Sequence, residues 1–246
     1  METVYSEHHR RHNTDRVQVE GHPFVTEEVP ERAEILLAAA RQVGPVIPPA
    51  DHGLGPILAV HDPDYVGFLR SAYADSAALH PGAAPEPVFT WTFATRHTGR
   101  KPKSVRGLLG YYAFGWGSPI LEGTWTAAYW SAQCALTAAD LVRAGARSAY
   151  ALCRPPGHHA GRDLYGGFCY LNNAAIAARY LQPGKVAILD IDYHHGNGTQ
   201  AIFYEDPAAL FCSLHADPDW IYPFFWGRAD ERGAEAGLGL NRNWSL

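Results

Sequence analysis

Apolar and polar positions along this chain fall into blocks with two different periods. The run Val186-Ala187-Ile188-Leu189, preceded by Pro183-Gly184, is short and rich in branched side chains, which predicts a buried strand over 185–191. Similar short runs predict strands over 148–153 and 210–214, the last followed by His215. Helical spacing governs other blocks. Pro30-Glu31-Arg32 opens a predicted helix to Val43 with Ile35, Leu36, Ala39, Ala40 and Val43 on one face, since proline suits a first helical position and acidic residues the first turn. A second helix is expected over 63–71, with Tyr65, Val66 and Leu69 on one side. A long one is expected over 124–144, with Trp125, Ala128, Tyr129, Ala132, Leu136 and Leu141 as its stripe and Gly145 just past its end. Asn173 is the expected cap of a helix over 174–181, and a short helix follows near 200–204.

Strand, helix, strand, helix, strand in this order predicts an α/β fold with a mainly parallel sheet and helices on both faces. Functional groups in such sheets gather beyond the carboxyl ends of the strands. Three polar clusters fall there: His158/His159, Asp190/Asp192/His194 and Ser213/His215. Strand side chains alternate faces, so an extended course would point Asp190, Asp192 and His194 the same way. The segment 82–121 breaks the pattern. It is rich in Gly, Pro and aromatic residues without periodicity, which predicts a long loop, either packed on its own domain or contacting a second subunit or a substrate entrance.

Composition narrows the class. A chain of 246 residues with 47% hydrophobic and 18% charged residues is a globular domain with a real core. A net charge of -5 leaves no basic footprint for nucleic acid and is weakly compatible with a cationic substrate. No apolar run reaches membrane-spanning length, and the first residues lack the pattern of a signal peptide, so a cytoplasmic protein is expected. The four cysteines form no C-x-x-C pair and are expected reduced and buried.

Asp192 and His194 are the candidate metal ligands. A carboxylate and a neutral imidazole suit zinc, and also iron(II) or cobalt; the alternative is a hydrogen-bonded Asp-His pair. His158 and His159 are candidate acid and base, since imidazole shuttles protons near neutral pH, or else two solvated loop histidines. Asp190 is either a partner orienting a histidine or a ligand of another cation. Gly166-Gly167-Phe168 offers adaptable backbone followed by an aromatic wall, or Phe168 is simply core.

The segments 154–160 (RPPGHHA), 166–177 (GGFCYLNNAAIA) and 190–200 (DIDYHHGNGTQ) resemble the histone deacetylase superfamily. Residues 28–36 (EVPERAEIL), 123–125 (GTW), Tyr222-Pro223-Phe224-Phe225 and 229–233 (ADERG) are similar, within it, to bacterial acetylpolyamine amidohydrolases. The resemblance implies an arginase/deacetylase-like three-layer fold and a zinc-dependent removal of acetyl groups from acetylated polyamines or related small acylated amines. It makes Asp192 and His194 two of three zinc ligands, with Fe2+ as the alternative ion. His159 becomes the general base and acid, oriented by Asn197, and His158 its electrostatic companion, oriented by Asp190. Gly167 and Phe168 would contact the acyl group. Asp190, Ser213 and Leu214, with backbone oxygens at Asp192 and His194, resemble a structural potassium (K+) site. The 82–121 loop resembles an insertion used for homodimerisation and for narrowing the channel, and Glu122 is a candidate contact for a substrate ammonium or a solvated surface residue.

The family's third zinc ligand, an aspartate, and its oxyanion-binding tyrosine come from a C-terminal third that no segment here matches; Asp217 and Asp219 are not assigned to zinc by the pattern. The expectation is a single incomplete, C-terminally truncated deacetylase domain with an unprotected sheet edge, weaker metal binding and impaired activity. The competing expectations are a non-catalytic binding or dimerisation remnant of the same fold and, further off, a dinuclear manganese hydrolase of the arginase type.

Overall fold

The computed structural model describes residues 1–15, 17–19, 22–23, 25–82, 86–94 and 100–246. In chain order the elements are β1 (Glu2–Tyr5), a 3-10 turn (Glu7–Arg11), the short strands β2 (Gln18–Val19) and β3 (His22–Pro23), α1 (Pro30–Val43) and β4 (Val46–Ile47). Helices α2 (Gly55–Leu58), α3 (Pro63–Ala77), α4 (Val105–Tyr111) and α5 (Thr124–Arg143) follow. Then come β5 (Ala149–Leu152), α6 (Asn173–Tyr180), β6 (Val186–Asp190), α7 (Asn197–Phe203), β7 (Ala209–His215) and β8 (Asn241–Ser245).

Every pairing in the two main sheets is parallel. One sheet has the order β4-β1-β5, the other β6-β7-β8; β2 and β3 form a separate antiparallel pair. β5 and β6 are not hydrogen-bonded to each other. A groove of about 580 Å3, lined largely by alanines of α5, β5 and α6, runs between them. β6 consequently presents an open edge, with Leu189 65% exposed. The expected sheet is thus divided in two, and one of its edges is bare among the described residues.

The main core lies under the helices. Tyr65, Val66, Phe68, Leu69, Leu136, Tyr170, Leu171 and Ile176 bury together where α3, α5 and α6 meet. A smaller cluster of Tyr5, Ala33, Leu37 and Leu152 packs α1 on the first sheet. That cluster corrects the expected face of α1. Ala33, Leu37 and Ala40 are its buried residues, while Ile35, Leu36 and Val43 stay substantially exposed. The helix meets the sheet along one narrow row, and the apolar residues beside that row are left outside the core, Leu36 lining the pocket described below.

The predicted elements recur with shifted ends. α3 runs six residues further than expected, with its start capped by Asp62, whose side chain accepts from Asp64 and Tyr65 amides. The cap of α6 is Asn172, not Asn173: its Oδ1 accepts the Ala175 amide at 3.0 Å. α7 starts at Asn197, three residues earlier than expected. The 82–121 segment is not wholly irregular, since it contains α4 and pairs Val88 with Ile120; its residues 83–85 and 95–99 lie outside the described residues. Gly145 takes φ +103° past α5, as expected of a helix-ending glycine. The cysteines are unpaired. Among the described residues no helix is long and apolar enough to cross a membrane.

Two buried histidines should make the fold acid-sensitive. His61 accepts the Asn172 amide on Nε2 at 2.9 Å and meets the Arg162 carbonyl through Nδ1 at 3.3 Å, so its ring serves as one acceptor and one donor and must be neutral. Burial lowers its pKa from 6.5 to about 4. His12 is likewise pushed down to about 3 by burial, with the Arg154 charge adding to the effect. A histidine with a depressed folded pKa favours the native state above its unfolded pKa and withdraws that support as pH falls towards the folded value. For His61 the window is pH 6.5 to 4, and the shift corresponds to about 3 kcal/mol. Urea midpoints should therefore drop between pH 7 and pH 5. In His61→Gln, whose amide can still accept and donate, that drop should shrink; an equal drop would remove His61 as its cause.

Candidate active site

The first loop of the site, 154–160, leaves the end of β5 and is anchored on all sides. Arg154 is buried, with its guanidinium ion-paired to Glu28 Oε2 at 2.9 Å and donating to the His9 carbonyl at 2.8 Å and to the Glu28 carbonyl at 3.3 Å. The Ser131 hydroxyl and the Asn173 amide both donate to the Pro155 carbonyl, at 2.9 and 3.2 Å. Asn172 Nδ2 donates to the Ala160 carbonyl at 3.0 Å. Asn172 and Asn173 thus divide the work: one caps the helix and ties the loop's far end, the other ties its start.

This anchoring sets the two histidine rings side by side, 4.0 Å between centroids, against different acceptors. His158 Nδ1 lies 2.9 Å from Asp190 Oδ2. His159 Nδ1 lies 2.7 Å from Asn197 Oδ1. Both partners accept, so each Nδ1 carries a proton and each Nε2 is left for other work. Burial holds the His159 pKa well below its ordinary value, and the neighbouring His158 charge adds to this while Asn197 works against it. His159 is therefore neutral near pH 7, with Nε2 unprotonated. At Asp190 burial acts to raise the pKa, but the His158 hydrogen bond and charge and the Asp192 amide prevail and bring it below the ordinary carboxylate value. Neither histidine is a solvated loop residue: His159 is 4% exposed and His158 is partly buried.

Asp192 and His194 come together by a different route from the expected strand alternation. β6 ends at Asp190. Beyond it, Asp190 Oδ1 accepts the Asp192 amide at 3.1 Å and Asp192 Oδ1 accepts the His194 amide at 2.8 Å. These are two successive Asx turns, in which a short side chain bonds backbone two residues on. They bring Asp192 Oδ1 to 3.4 Å from His194 Nδ1. That separation matches one edge of a tetrahedron with bonds of about 2.0–2.1 Å, the spacing of oxygen and nitrogen ligands on zinc.

All four residues line one pocket of about 790 Å3, together with Gly167, Phe168 and Tyr222, and with Gly115, Trp116 and Gly117 from the 82–121 segment. Gly167 has φ +53°, and a Cβ there would lie 2.2 Å from His159 Cδ2, so only glycine fits. Phe168 is also left-handed, φ +67°, a strained setting for a bulky residue. Its amide donates to Ser118 Oγ at 2.8 Å. Phe168 is partly exposed at the pocket and is not plain core. Gly196 is needed for a similar reason: a Cβ would meet Asp190 Oδ2 at 2.2 Å.

Other expected residues are placed elsewhere or otherwise engaged. Glu122 is not among the residues lining this pocket; it lines a separate cavity with Arg11, Tyr73 and Glu86. Asp190 and Ser213 stand in register on β6 and β7, but the Ser213 hydroxyl is bonded to His215 Nδ1 at 2.8 Å, and Leu214 follows on the same strand. Among the described residues no group of three or more His, Cys, Asp or Glu side chains is placed to hold one metal ion. Tyr222 was not singled out by reasoning from residue type. Its ring lies 5.0 Å from that of His159 and 5.8 Å from that of His194, and a tyrosine in an aromatic run carries no signal distinguishing pocket from core.

Residues 22–246 match the family model of the histone deacetylase domain. The chain belongs to the histone deacetylase family. It is accordingly a deacetylase-type hydrolase acting on linear amide C–N bonds, and the family's arginase-like α/β fold is the one observed. Acetylpolyamine amidohydrolase 1 of Pseudomonas aeruginosa is 50% identical over 252 aligned positions, covering 100% of this chain and 72% of that protein. The acetylpolyamine amidohydrolase of Mycoplana ramosa is 44% identical, covering 100% of this chain and 73% of that protein. The crystal structure of acetylpolyamine aminohydrolase from Burkholderia pseudomallei superposes with a TM-score of 0.91 at 44% identity, over 100% of this chain and 72% of that one.

The hydrogen bond to Asn197 should matter for rate more than for folding. Asn197→Leu, of similar volume, removes the acceptor, and the turnover rate should fall about 10- to 100-fold with the fold retained by circular dichroism. Asn197→Asp keeps an acceptor oxygen and should retain most of the rate; equal losses in both variants would rule out ring orientation as the cause.

Proposed function

We propose that the chain is a zinc-dependent amidohydrolase that removes acetyl groups from acetylpolyamines or similar small acylated amines. The observation that carries this reading is the juxtaposition of the Asp192–His194 pair, 3.4 Å apart, with two histidines whose Nδ1 protons are already committed. The names of its relatives support the substrate class. When bound, zinc supplies Lewis-acid polarisation of the acyl carbonyl and a more acidic water, with a pKa brought towards about 7. Iron(II) suits the same donors.

The chain's own residues handle the protons. Neutral His159, held through Nδ1, accepts a proton from water on Nε2 and later returns it to the amine nitrogen as the C–N bond breaks. Acetate and the free amine are the products. His158 rests against the Asp190 carboxylate, so positive charge on its ring is compensated within the site. Phe168 and the Gly115–Gly117 stretch narrow the approach, which suits a slender aliphatic chain. Asp190 and Ser213, with the Leu214 carbonyl, are oxygen donors of the kind a structural potassium ion takes.

Two protein donors hold an ion less firmly than three, so this 246-residue chain should bind zinc weakly and turn over slowly. Metal analysis after equilibration with Zn2+, combined with N-acetylputrescine hydrolysis, tests this. His159→Ala should abolish hydrolysis while keeping the bound zinc. An intact fold with neither zinc nor hydrolysis would favour instead a non-catalytic remnant.

The 82–121 segment is read as a homodimer contact. Trp91 is 72% and Phe93 40% exposed, and apolar side chains left bare beside one another favour a partner surface. Light scattering on a sizing column should give a dimer mass that reverts to monomer in Trp91→Glu; a monomer in the parent chain would rule the contact out.

A further inference from the structure

Behind the Asp192–His194 turn lies a buried polar cluster that none of the roles above uses. Its hub is Gln200, in α7 and 4% exposed. Gln200 Oε1 faces three nitrogens: His195 Nε2 at 3.0 Å, Asn241 Nδ2 at 3.0 Å and Asn243 Nδ2 at 2.8 Å. Its Nε2 donates to Glu231 Oε2 at 2.5 Å. This amide has one acceptable orientation. Turned over, it would set its NH2 against two other NH2 groups and its oxygen against a carboxylate.

The tautomer of His195 follows. An amide oxygen can only accept, so Nε2 carries the proton and Nδ1 does not. Nδ1 is buried and has no hydrogen-bond partner among the described residues. The ring is therefore held by hydrogen bonding at its Nε2 end, by Gln200. His195 is the residue after His194, and its carbonyl accepts the Asn197 amide at 3.0 Å. One short stretch thus presents a metal-donor candidate, His194, and the acceptor that orients His159, Asn197.

We propose that Gln200 and Glu231 form a positioning pair: they lock the His195 ring in its Nε2–H form and thereby set His194 and Asn197 towards the pocket. Gln200 touches neither substrate nor metal and acts through His195. Glu231 keeps the Gln200 amide turned the right way and also accepts the Gly227 amide at 2.9 Å, next to Trp226, whose ring meets Phe114 on the pocket side. The consequence for zinc and turnover rests on the amidohydrolase reading; the consequence for His195 does not.

The test exchanges the two side chains. Gln200→Glu alone puts two carboxylates in contact and loses the amide donor. The double variant Gln200→Glu/Glu231→Gln restores the bond between the two side chains, with a carboxylate now accepting from His195, Asn241, Asn243 and the new amide; the Gly227 amide, which Glu231 Oε2 also accepts, loses that acceptor. Ring nitrogen NMR shifts of 15N-histidine-labelled protein report the His195 tautomer, and Zn2+ titration reports affinity. In the parent chain and the double variant His195 should be the Nε2–H form. In Gln200→Glu its signals should shift or broaden and Zn2+ affinity should fall about 10- to 100-fold, with recovery to within about threefold in the double variant. Leu69→Ala, in the distant α3 core, is the control for stability loss alone and should change neither readout. The proposal is overturned if the double variant behaves like Gln200→Glu, or if Gln200→Glu leaves the His195 signals unchanged. A parent chain that binds no Zn2+ would count against the amidohydrolase reading, while the ring signals would still decide the positioning of His195.

Discussion

The site depends on one constraint: two histidines adjacent in sequence must be held by two different acceptors from another part of the chain. Neighbouring residues on a loop have no reason to point their rings into one pocket with both Nδ1 atoms protonated. Asp190 and Asn197 impose that arrangement. They can do so because β6 ends and α7 begins within a few residues of each other, facing the loop that leaves β5. A hydrogen bond contributes only about 0.5–1.5 kcal/mol net, but a buried group left unpaired costs about 1–3 kcal/mol, so these contacts act mainly by excluding other ring orientations.

The same economy explains the polar interior around the site. Arg154 with Glu28, Asn172 with the Ala160 carbonyl, and Asn173 with Ser131 and Pro155 all lie within the buried region. An apolar core would pack as densely, but it could not specify where a loop carbonyl must sit. Buried polar contacts penalise every arrangement that breaks them, and here they converge on the loop that carries the paired histidines His158 and His159. Close-packed glycines do the complementary job: at Gly167 and Gly196 a side chain would collide with His159 or Asp190, so backbone approaches the working groups directly.

The open edge of β6 and the alanine-lined groove beside it are a different sort of feature. Parallel sheets are ordinarily covered on both faces and at their edges, and Leu189, Ile191 and Tyr193 are all well exposed here. The pocket stands at the carboxyl end of the same strand. The stability of that edge and the order of the Asp192–His194 turn are therefore linked through a few residues of backbone.

Much was legible from sequence because the signals were local. Periodicity located α3, α5 and β7, since a buried strand or helix must repeat its apolar residues with the pleat or the turn; the short apolar run located β6 too, but none of its five residues is buried, because its edge is open. Motif spacing put His158, His159, Asp192 and His194 at strand ends, and the expected parallel order placed them at one edge; β5 and β6 in fact lie in separate sheets, yet the four residues still line one pocket. What sequence could not settle was every question decided by a distant partner. The exposed sides of Ile35 and Leu36 depend on how narrowly α1 meets its sheet. Asn172 rather than Asn173 caps α6 because Asn173 is drawn to Ser131 and Pro155. Glu122 lines a separate cavity, and Tyr222 lines the pocket, for reasons of packing that no spacing rule contains. The strand-alternation argument brought Asp192 and His194 together by the wrong means; two Asx turns did it, because Asp side chains bond nearby amides once the strand has ended. Residue type and order determined the chemistry available to this protein, and tertiary contacts decided which atoms were free to perform it, since a hydrogen bond or a collision is set by distance in space.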